Sequence, residues 1–99
     1  MSDALTRGHA PLFPLGAVVA TPGALDALAR HPRFVHQIIA RHGSGDWGEV
    51  DAEDQKANAR ALLSGERLLS AYTTPTGTRV WVLTEADRSA TTVFLPSEY

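Results

Sequence analysis

The densest group of polar side chains in this chain lies near its C-terminus. Its members can carry charge or make hydrogen bonds: Glu85, Asp87, Arg88, Ser89, Thr91 and Thr92. An arginine beside hydroxyl side chains can bind a phosphate or a carboxylate, because its planar guanidinium donates two parallel hydrogen bonds. The same residues also suit an internal hydrogen-bonded network in a hairpin turn, with no role beyond folding. Both interpretations stay open at this point.

Within this turn the sequence predicts different roles for neighbouring residues. Asp87 is expected to accept hydrogen bonds from backbone amides of the turn, as acidic residues in turns commonly do. Arg88 is then expected to project outward, because two consecutive residues cannot both point into a tight turn. We therefore take Asp87, Arg88 and Ser89 as candidate binding residues, with Arg88 as the leading one.

A second candidate is the loop 45–48, in which two glycines flank an acidic and a large aromatic residue. An exposed tryptophan is a favoured anchor in protein interfaces, so Asp46 and Trp47 are candidate binding residues. The alternative is that Trp47 fills the core, because burying so large a side chain strongly stabilises a small domain.

Acid–base chemistry would require a histidine, and the chain has four: His9, His31, His36 and His42. His42 lies on the apolar side of a predicted helix and His36 about 240° around it, so the two cannot bind one metal ion. If the chain is an enzyme, His42 would act with Arg88 and Thr92 within hydrogen-bond reach of a substrate. The alternative is that His42 caps carbonyl groups at the end of its helix. No metal site is predicted.

Two helices are predicted to precede these loops. The first spans residues 22–30, because Thr21 is a good N-cap and Pro22 suits the first helical position. The second spans residues 32–42, where apolar residues recur with the period of a helix that faces a core.

A third helix is predicted to follow the loop that carries Trp47. It begins after Asp51, a good N-cap, and ends at Gly65, which suits the C-terminal stop. Asn58 in its middle is a mediocre helix former, and we expect its amide to bond a neighbouring loop at residues 44–50.

After residue 67 the period of the apolar residues changes from helical to alternating. Three strands are predicted, over residues 68–73, 80–84 and 90–95, joined by short turns. Trp81 and Leu83 share one face of the middle strand, and we expect that face to be the core.

This order of elements predicts an α+β fold, with about three N-terminal helices packed on one face of a small antiparallel sheet. The last three strands form a C-terminal meander. The apolar run 12–20 adds an N-terminal edge strand at most, because Pro14 and Gly16 interrupt it. Residues 1–11 are expected to form a flexible tail, and residues 12–99 a single domain.

Composition narrows the class of protein. The 99 residues carry 9 basic and 11 acidic side chains, and this balance argues against a broad nucleic-acid surface. The absence of cysteine excludes disulfides and thiolate metal sites, and no cofactor is expected. The sequence has neither a long apolar run nor the order of a secretory signal, so we expect no membrane contact and a cytoplasmic location. The acidic balance favours a protein partner, although a small basic site formed by converging arginines stays open.

Three motifs carry a resemblance to a known group of proteins. They are FPLGAVVATPGAL from Phe13, HGSGDWG from His42, and WVLTEADRSATTVFLPSEY from Trp81 to Tyr99. Over residues 13–99 the chain resembles a family of small uncharacterised proteins encoded on bacterial plasmids and other mobile elements. The resemblance implies an accessory or antagonist protein of such an element, and it brings no established activity.

A second resemblance concerns the arrangement of elements alone. Helices followed by an antiparallel sheet with a late Thr-Thr strand are similar to the barnase–EndoU–RelE group of ribonucleases. This likeness implies a histidine and a late-strand hydroxyl on either side of the scissile phosphate. The matching positions here would be His42, Arg88, Thr92 and Tyr99.

Two functions are therefore expected as alternatives. The first is a non-enzymatic interaction protein that binds a protein partner through loop residues, namely Asp46, Trp47, Asp87, Arg88 and Ser89. The second is a small ribonuclease or related hydrolase that uses His42, Arg88 and Thr92. The discriminating observation is whether these three side chains meet in one open cleft, since proton transfer needs hydrogen-bond reach.

Overall fold

The computed structural model describes residues 11–99, so the tail predicted for residues 1–11 lies almost wholly outside the described residues. The described chain forms four strands and three helices, with a short 3₁₀ turn at Pro96–Glu98. In chain order they are β1 (Ala17–Ala20), α1 (Pro22–Leu28), α2 (Pro32–Gly43), α3 (Ala52–Ser64), β2 (Leu68–Thr73), β3 (Arg79–Thr84) and β4 (Ala90–Phe94).

The helix ends follow the capping signals in the sequence. The Thr21 hydroxyl accepts a hydrogen bond from the amide of Ala24 at 3.2 Å and so caps α1. The Asp51 carboxylate caps α3 by accepting from the amide of Asp54 at 2.8 Å. Gly65 ends α3 with a φ of 80°, a left-handed conformation that glycine adopts without steric cost.

The four strands form one mixed sheet in the order β1-β4-β3-β2. β2, β3 and β4 make the predicted antiparallel meander, and the α+β class is confirmed. The predicted N-terminal edge strand is present as β1, but it pairs parallel to β4, so the sheet as a whole is mixed and not antiparallel. Parallel pairing is possible because the long connection between β1 and β4 can return the chain in the same direction.

One core lies between the sheet and the helices α1 and α2. Val80 and Val82 are fully buried there and pack in one cluster with Ile38 of α2. The prediction that Trp81 faces this core is therefore wrong. Trp81 points to the opposite face, where its ring lies 5.8 Å from that of Phe94 and 5.7 Å from that of Tyr99. The aromatic rings thus form a separate cluster on the face that carries no helix.

Candidate functional site

His42 lies at the centre of a buried polar chain. It is fully inaccessible to solvent, as are Ser70, Thr84 and Thr91. The imidazole Nδ1 lies 2.6 Å from the hydroxyl oxygen of Ser70, and Nε2 lies 2.8 Å from that of Thr84. The Thr84 hydroxyl lies 2.7 Å from that of Thr91, which donates to the carbonyl oxygen of Leu15 at 2.7 Å. The chain therefore joins α2 to three strands and to the segment before β1.

The last acceptor of this network fixes the direction of its hydrogen bonds from Leu15 back to Nε2 of His42. A carbonyl oxygen can only accept, so Thr91 donates to Leu15, and Thr84 then donates to Thr91. The Thr84 oxygen is left to accept from Nε2–H of His42, and Nδ1 accepts from the hydroxyl of Ser70. Because burial favours the uncharged ring, His42 is the neutral Nε2–H tautomer in this arrangement.

Burial keeps His42 neutral and away from substrates. Desolvation lowers the pKa of His42 to about 4, because a charged imidazolium loses its hydration inside the core. The ring is enclosed by Phe13, with ring centroids 5.4 Å apart, and by Trp47 at 5.7 Å. The prediction that His42 points inward is confirmed. The alternative that it caps helix carbonyls is wrong, because both of its nitrogens bond hydroxyl groups of the sheet.

The residues predicted for catalysis are not brought into one cleft. Thr91 faces His42, so Thr92, the next residue of the strand, faces the opposite side of the sheet. The Arg88 guanidinium lies 5.6 Å from the Phe13 ring, and that ring packs against His42. Tyr99 lies on the face that carries no helix, in the cluster with Trp81. The ribonuclease-like set therefore does not assemble.

Asp46 and Trp47, the candidate binding residues in the loop after α2, both make contacts inside the protein. Trp47 is 7% exposed and stacks on Phe13, so the alternative that it fills the core is the correct one. Asp46 accepts two hydrogen bonds from the guanidinium of Arg41, at 2.7 and 3.1 Å. This ion pair lowers the pKa of Asp46 and raises that of Arg41.

In the turn at residues 85–89, Asp87 has the predicted role and Arg88 does not. Asp87 accepts from the backbone amide of Ser89 at 3.0 Å, as expected of a turn carboxylate. The pKa of Asp87 is lowered by a hydrogen bond from the Ser89 side chain and, to a lesser extent, by this backbone bond. Arg88 does not project freely outward. Its guanidinium donates to the carbonyl oxygens of Ala61 at 3.1 Å and Glu66 at 2.7 Å, at the end of α3. Of the predicted binding residues in this turn, Asp87 and Ser89 remain exposed.

The outer edge of β2 is covered by side-chain and backbone groups. The side-chain amide of Asn58 donates to the carbonyl oxygen of Leu69 at 2.8 Å and accepts from its amide at 3.1 Å. Farther along, the amide of Ala71 donates to the carbonyl oxygen of Trp47, and the amide of Glu49 donates to that of Ala71. Asn58 has the predicted structural role, but its partner is β2 and not the loop 44–50.

The outer edge of β1 has no such cover among residues 11–99, where β4 is the only strand that pairs with β1. We call this side of Ala17–Ala20 the open edge. Val18 and Val19 are 51% and 48% exposed, although buried strands are where valine is usually found. β1 also lacks the lysine, proline or bulge that commonly protects an edge strand.

Two apolar cavities follow the open edge and together form what we call the β1 groove. One, of about 460 Å³, lies between β1 and the helices, and its lining includes Val18, Leu25, Leu28 and Ala29. The other, of about 340 Å³, continues toward Leu15 and the end of α2. The two cavities share the side chains of Val18, Val35 and His36. No aspartate, glutamate, lysine or arginine of the described chain lines either cavity.

Sequence reasoning did not select this edge as a site. The available signal was the run AVVA, four uncharged residues preceded by Gly16 and followed by Thr21 and Pro22. An edge strand without a charge is a candidate pairing surface. The run was predicted to be an edge strand at most, but its parallel partner β4, and therefore which of its sides stays open, could not be predicted.

The described residues contain no group of three or more metal-ligating side chains, and none of their helices is long and apolar enough to cross a membrane. Comparisons with protein-family models, with curated proteins and with solved structures found no match to this chain.

Proposed function

We propose that this protein is a non-enzymatic interaction module that binds a partner protein by accepting an extended strand at the open edge of β1. The observation that carries the proposal is the contrast between the two edges of one sheet. The edge at β2 is bonded by Asn58 and the loop 47–49, whereas no described residue pairs with the edge at β1. An unpaired strand edge offers backbone donors and acceptors that favour addition of another strand.

The β1 groove defines the chemistry of the partner strand. Backbone hydrogen bonds would provide affinity, and pockets beside the edge would select alternate side chains. Because the groove is lined by apolar side chains, with His36 as its only titratable one in the described chain, uncharged β-branched or aliphatic residues fit it best. A strand with a charge facing the groove would lose hydration without gaining a counter-charge.

The predicted loop residues take a secondary place in this proposal. The carbonyl oxygen of Ser89 accepts from the amide of Ala17 at 3.0 Å, so the turn at 85–89 lies at the beginning of β1. Asp87 and Ser89 are exposed in this turn, which contacts β1 from the β4 side, and their binding roles remain predictions. Binding roles for Asp46, Trp47 and Arg88 remain predictions, and each of these residues already makes internal contacts.

An accessory role in a bacterial mobile element forms part of the proposal and rests on the sequence resemblance. The lack of an assembled catalytic set favours binding over hydrolysis, because His42 is fully buried and Thr92 faces the other side of the sheet. The partner is then a protein with an exposed apolar strand.

The test is selection of displayed random peptides of about ten residues, long enough for one strand, on the immobilised protein. We expect enrichment of peptides with alternating apolar residues and loss of at least about tenfold in affinity for the Val18→Glu variant. Leu63→Glu is the matched control, since Leu63 is an exposed apolar residue on α3 that lines neither cavity of the groove. Selected peptides that bind Val18→Glu as tightly as the unmodified protein would contradict the proposal, as would the absence of enrichment.

A further inference from the structure

We infer that the strand received by the open edge is β1 of a second copy of this chain, paired antiparallel about a two-fold axis that passes beside Val19. The inference rests on the strand-accepting edge of the proposed function and names its occupant. It follows from three properties of β1: the direction of its backbone groups, the residues at its two ends, and the absence of charge along it.

The direction of the backbone groups is set by pairing with β4. The amide of Ala17 donates to the carbonyl oxygen of Ser89, and the amide of Thr21 donates to that of Val93, both at 3.0 Å. Because N–H and C=O groups alternate sides along a strand, residues 17, 19 and 21 face β4. Val18 and Ala20 therefore direct both their N–H and C=O groups outward.

A two-fold axis beside Val19 uses all of these outward groups. It places Val18 of one copy opposite Ala20 of the other, so that each such pair exchanges two hydrogen bonds. The two symmetric pairs give about four backbone hydrogen bonds, which is the whole capacity of so short an edge. The axis stands perpendicular to the sheet and leaves the helices of both copies on the same face.

The ends of β1 exclude the neighbouring registers. An axis beside Val18 would require Gly16 to pair with Ala20, but Gly16 has a φ of +65° and lies outside the extended strand. A side chain at position 16 would also collide with the backbone of Ser89, so this conformation is held by close packing. An axis beside Ala20 would require an amide hydrogen from Pro22, which has none.

The side chains of β1 permit self-pairing without an electrostatic penalty. The strand reads AVVA, and its apolar, uncharged groove faces an identical groove across the axis. On the face without helices, the axis brings Val19 of both copies directly opposite each other, at the short separation of a non-hydrogen-bonded pair. Like charges at that position would repel, whereas two valines pack together.

The experiment uses the prediction that Val19 of one copy lies opposite Val19 of the other. Sedimentation equilibrium of the unmodified protein should show dimers at a concentration between about 1 μM and 1 mM, the range of weak association. Val19→Glu and Val19→Arg should each be monomeric over the same range. Their equimolar mixture should recover the dimer, because only residues that face themselves across the axis become opposite charges on mixing. Val19 is half exposed, so both variants should keep the fold, as circular dichroism can verify.

Position 18 supplies the control for the register. Val18→Glu mixed with Val18→Arg should not recover the dimer to the same extent, since Val18 opposes Ala20 of the other copy. A dimer that persists in Val19→Glu alone would locate the interface elsewhere and overturn the inference. A mixture of the two Val19 variants that stays monomeric would overturn the register.

Failure of this inference is distinct from failure of the proposed function. An unmodified protein that is monomeric throughout, yet binds selected strand peptides at Val18, overturns the second copy and leaves the interaction module intact. A dimer that shows the Val19 charge-swap recovery while no peptide is selected supports the second copy and overturns a foreign strand as the partner.

Discussion

Arg88 holds an unusual backbone conformation because its side chain is engaged on both sides of the turn. Its φ of 61° is the only positive value among non-glycine residues of the described chain. That conformation costs roughly 1 kcal/mol for a residue with a side chain. The guanidinium offsets this cost by donating to the carbonyl oxygen of Ala61, in the last turn of α3, and to that of Glu66, two residues beyond the helix.

We expect Arg88→Ala to lower the free energy of unfolding by about 2 kcal/mol, since it removes several charge-assisted hydrogen bonds to partly exposed carbonyls. Asp87→Ala should cost less, because its carboxylate is fully exposed to solvent and bonds one residue of the turn. Thermal melts of the two variants measure this order.

Arg88→Gly serves as the control that separates the side chain from the backbone. It loses the same hydrogen bonds but relieves the positive φ, so it should melt higher than Arg88→Ala. If Arg88→Ala proves less destabilising than Asp87→Ala, Arg88 is a surface residue, as the sequence alone suggested.

At the scale of elements, α3 protects the sheet through one amide side chain. Asn58 is 4% exposed and satisfies both backbone groups of Leu69 on the outer edge of β2. A side chain that both donates and accepts can replace a neighbouring strand at one position of the ladder.

Asn58→Ala should therefore destabilise the protein by about 2 kcal/mol in urea unfolding, because two partly buried backbone groups lose their partners. Arg60→Ala, two residues along the same helix and exposed, is the control and should change stability by less than about 0.5 kcal/mol. Equal effects of the two substitutions would show that the Asn58 amide does not stabilise the edge.

The elements with local signals were the predictable ones. Thr21, Asp51 and Gly65 mark helix ends through bonds to residues three or four positions away, so their roles could be read directly. The face of β3 that meets the helices could not be predicted in this way. Alternation of apolar residues defines two faces of a strand and does not say which one is covered. Trp81 contacts Tyr99, a residue at the C-terminal end of the sequence that the 3₁₀ turn places against this face of the sheet.

The candidate site was still less predictable, because it depends on a pairing between distant segments. The open edge exists only because residues 17–20 pair with residues 90–93, and nothing local to either segment records that contact. The polar cluster at 85–92 was visible in the sequence, but in the structure its side chains point to different faces of the sheet and bond different elements. Thr91 enters the buried chain, Arg88 binds α3, and Asp87 stays in the turn.

At the scale of the whole molecule, the buried hydrogen-bonded network from Ser70 through His42 to Leu15 makes the free energy of unfolding depend on pH. In the unfolded chain a histidine has a pKa near 6.5, whereas burial lowers that of His42 to about 4. Unfolding therefore takes up a proton between these values. The stabilisation is fully present above about pH 6.5 and is lost as the pH falls toward 4.

We expect the free energy of unfolding to fall by about 2 kcal/mol between about pH 7 and pH 5 from this residue alone. The measurement is urea unfolding at both values, with His36→Gln as the control that keeps the buried imidazole. In the native protein, the NMR signals of the His42 ring should stay those of the neutral form down to about pH 4.5. A His42 ring that titrates near pH 6.5 in the folded protein would contradict the assignment.

The cover on β2 has a consequence for how far self-association can proceed. A sheet that offers two bare edges can add subunits at both ends and grow into a fibre, whereas a sheet with one bare edge has no site left after the first pairing. Asn58 and the loop 47–49 occupy the second edge, so the self-association that we propose through β1 would stop at two subunits. The Asn58 amide, together with the loop 47–49, would thus prevent polymerisation through the sheet, although the outer side of β1 has no partner in the described chain.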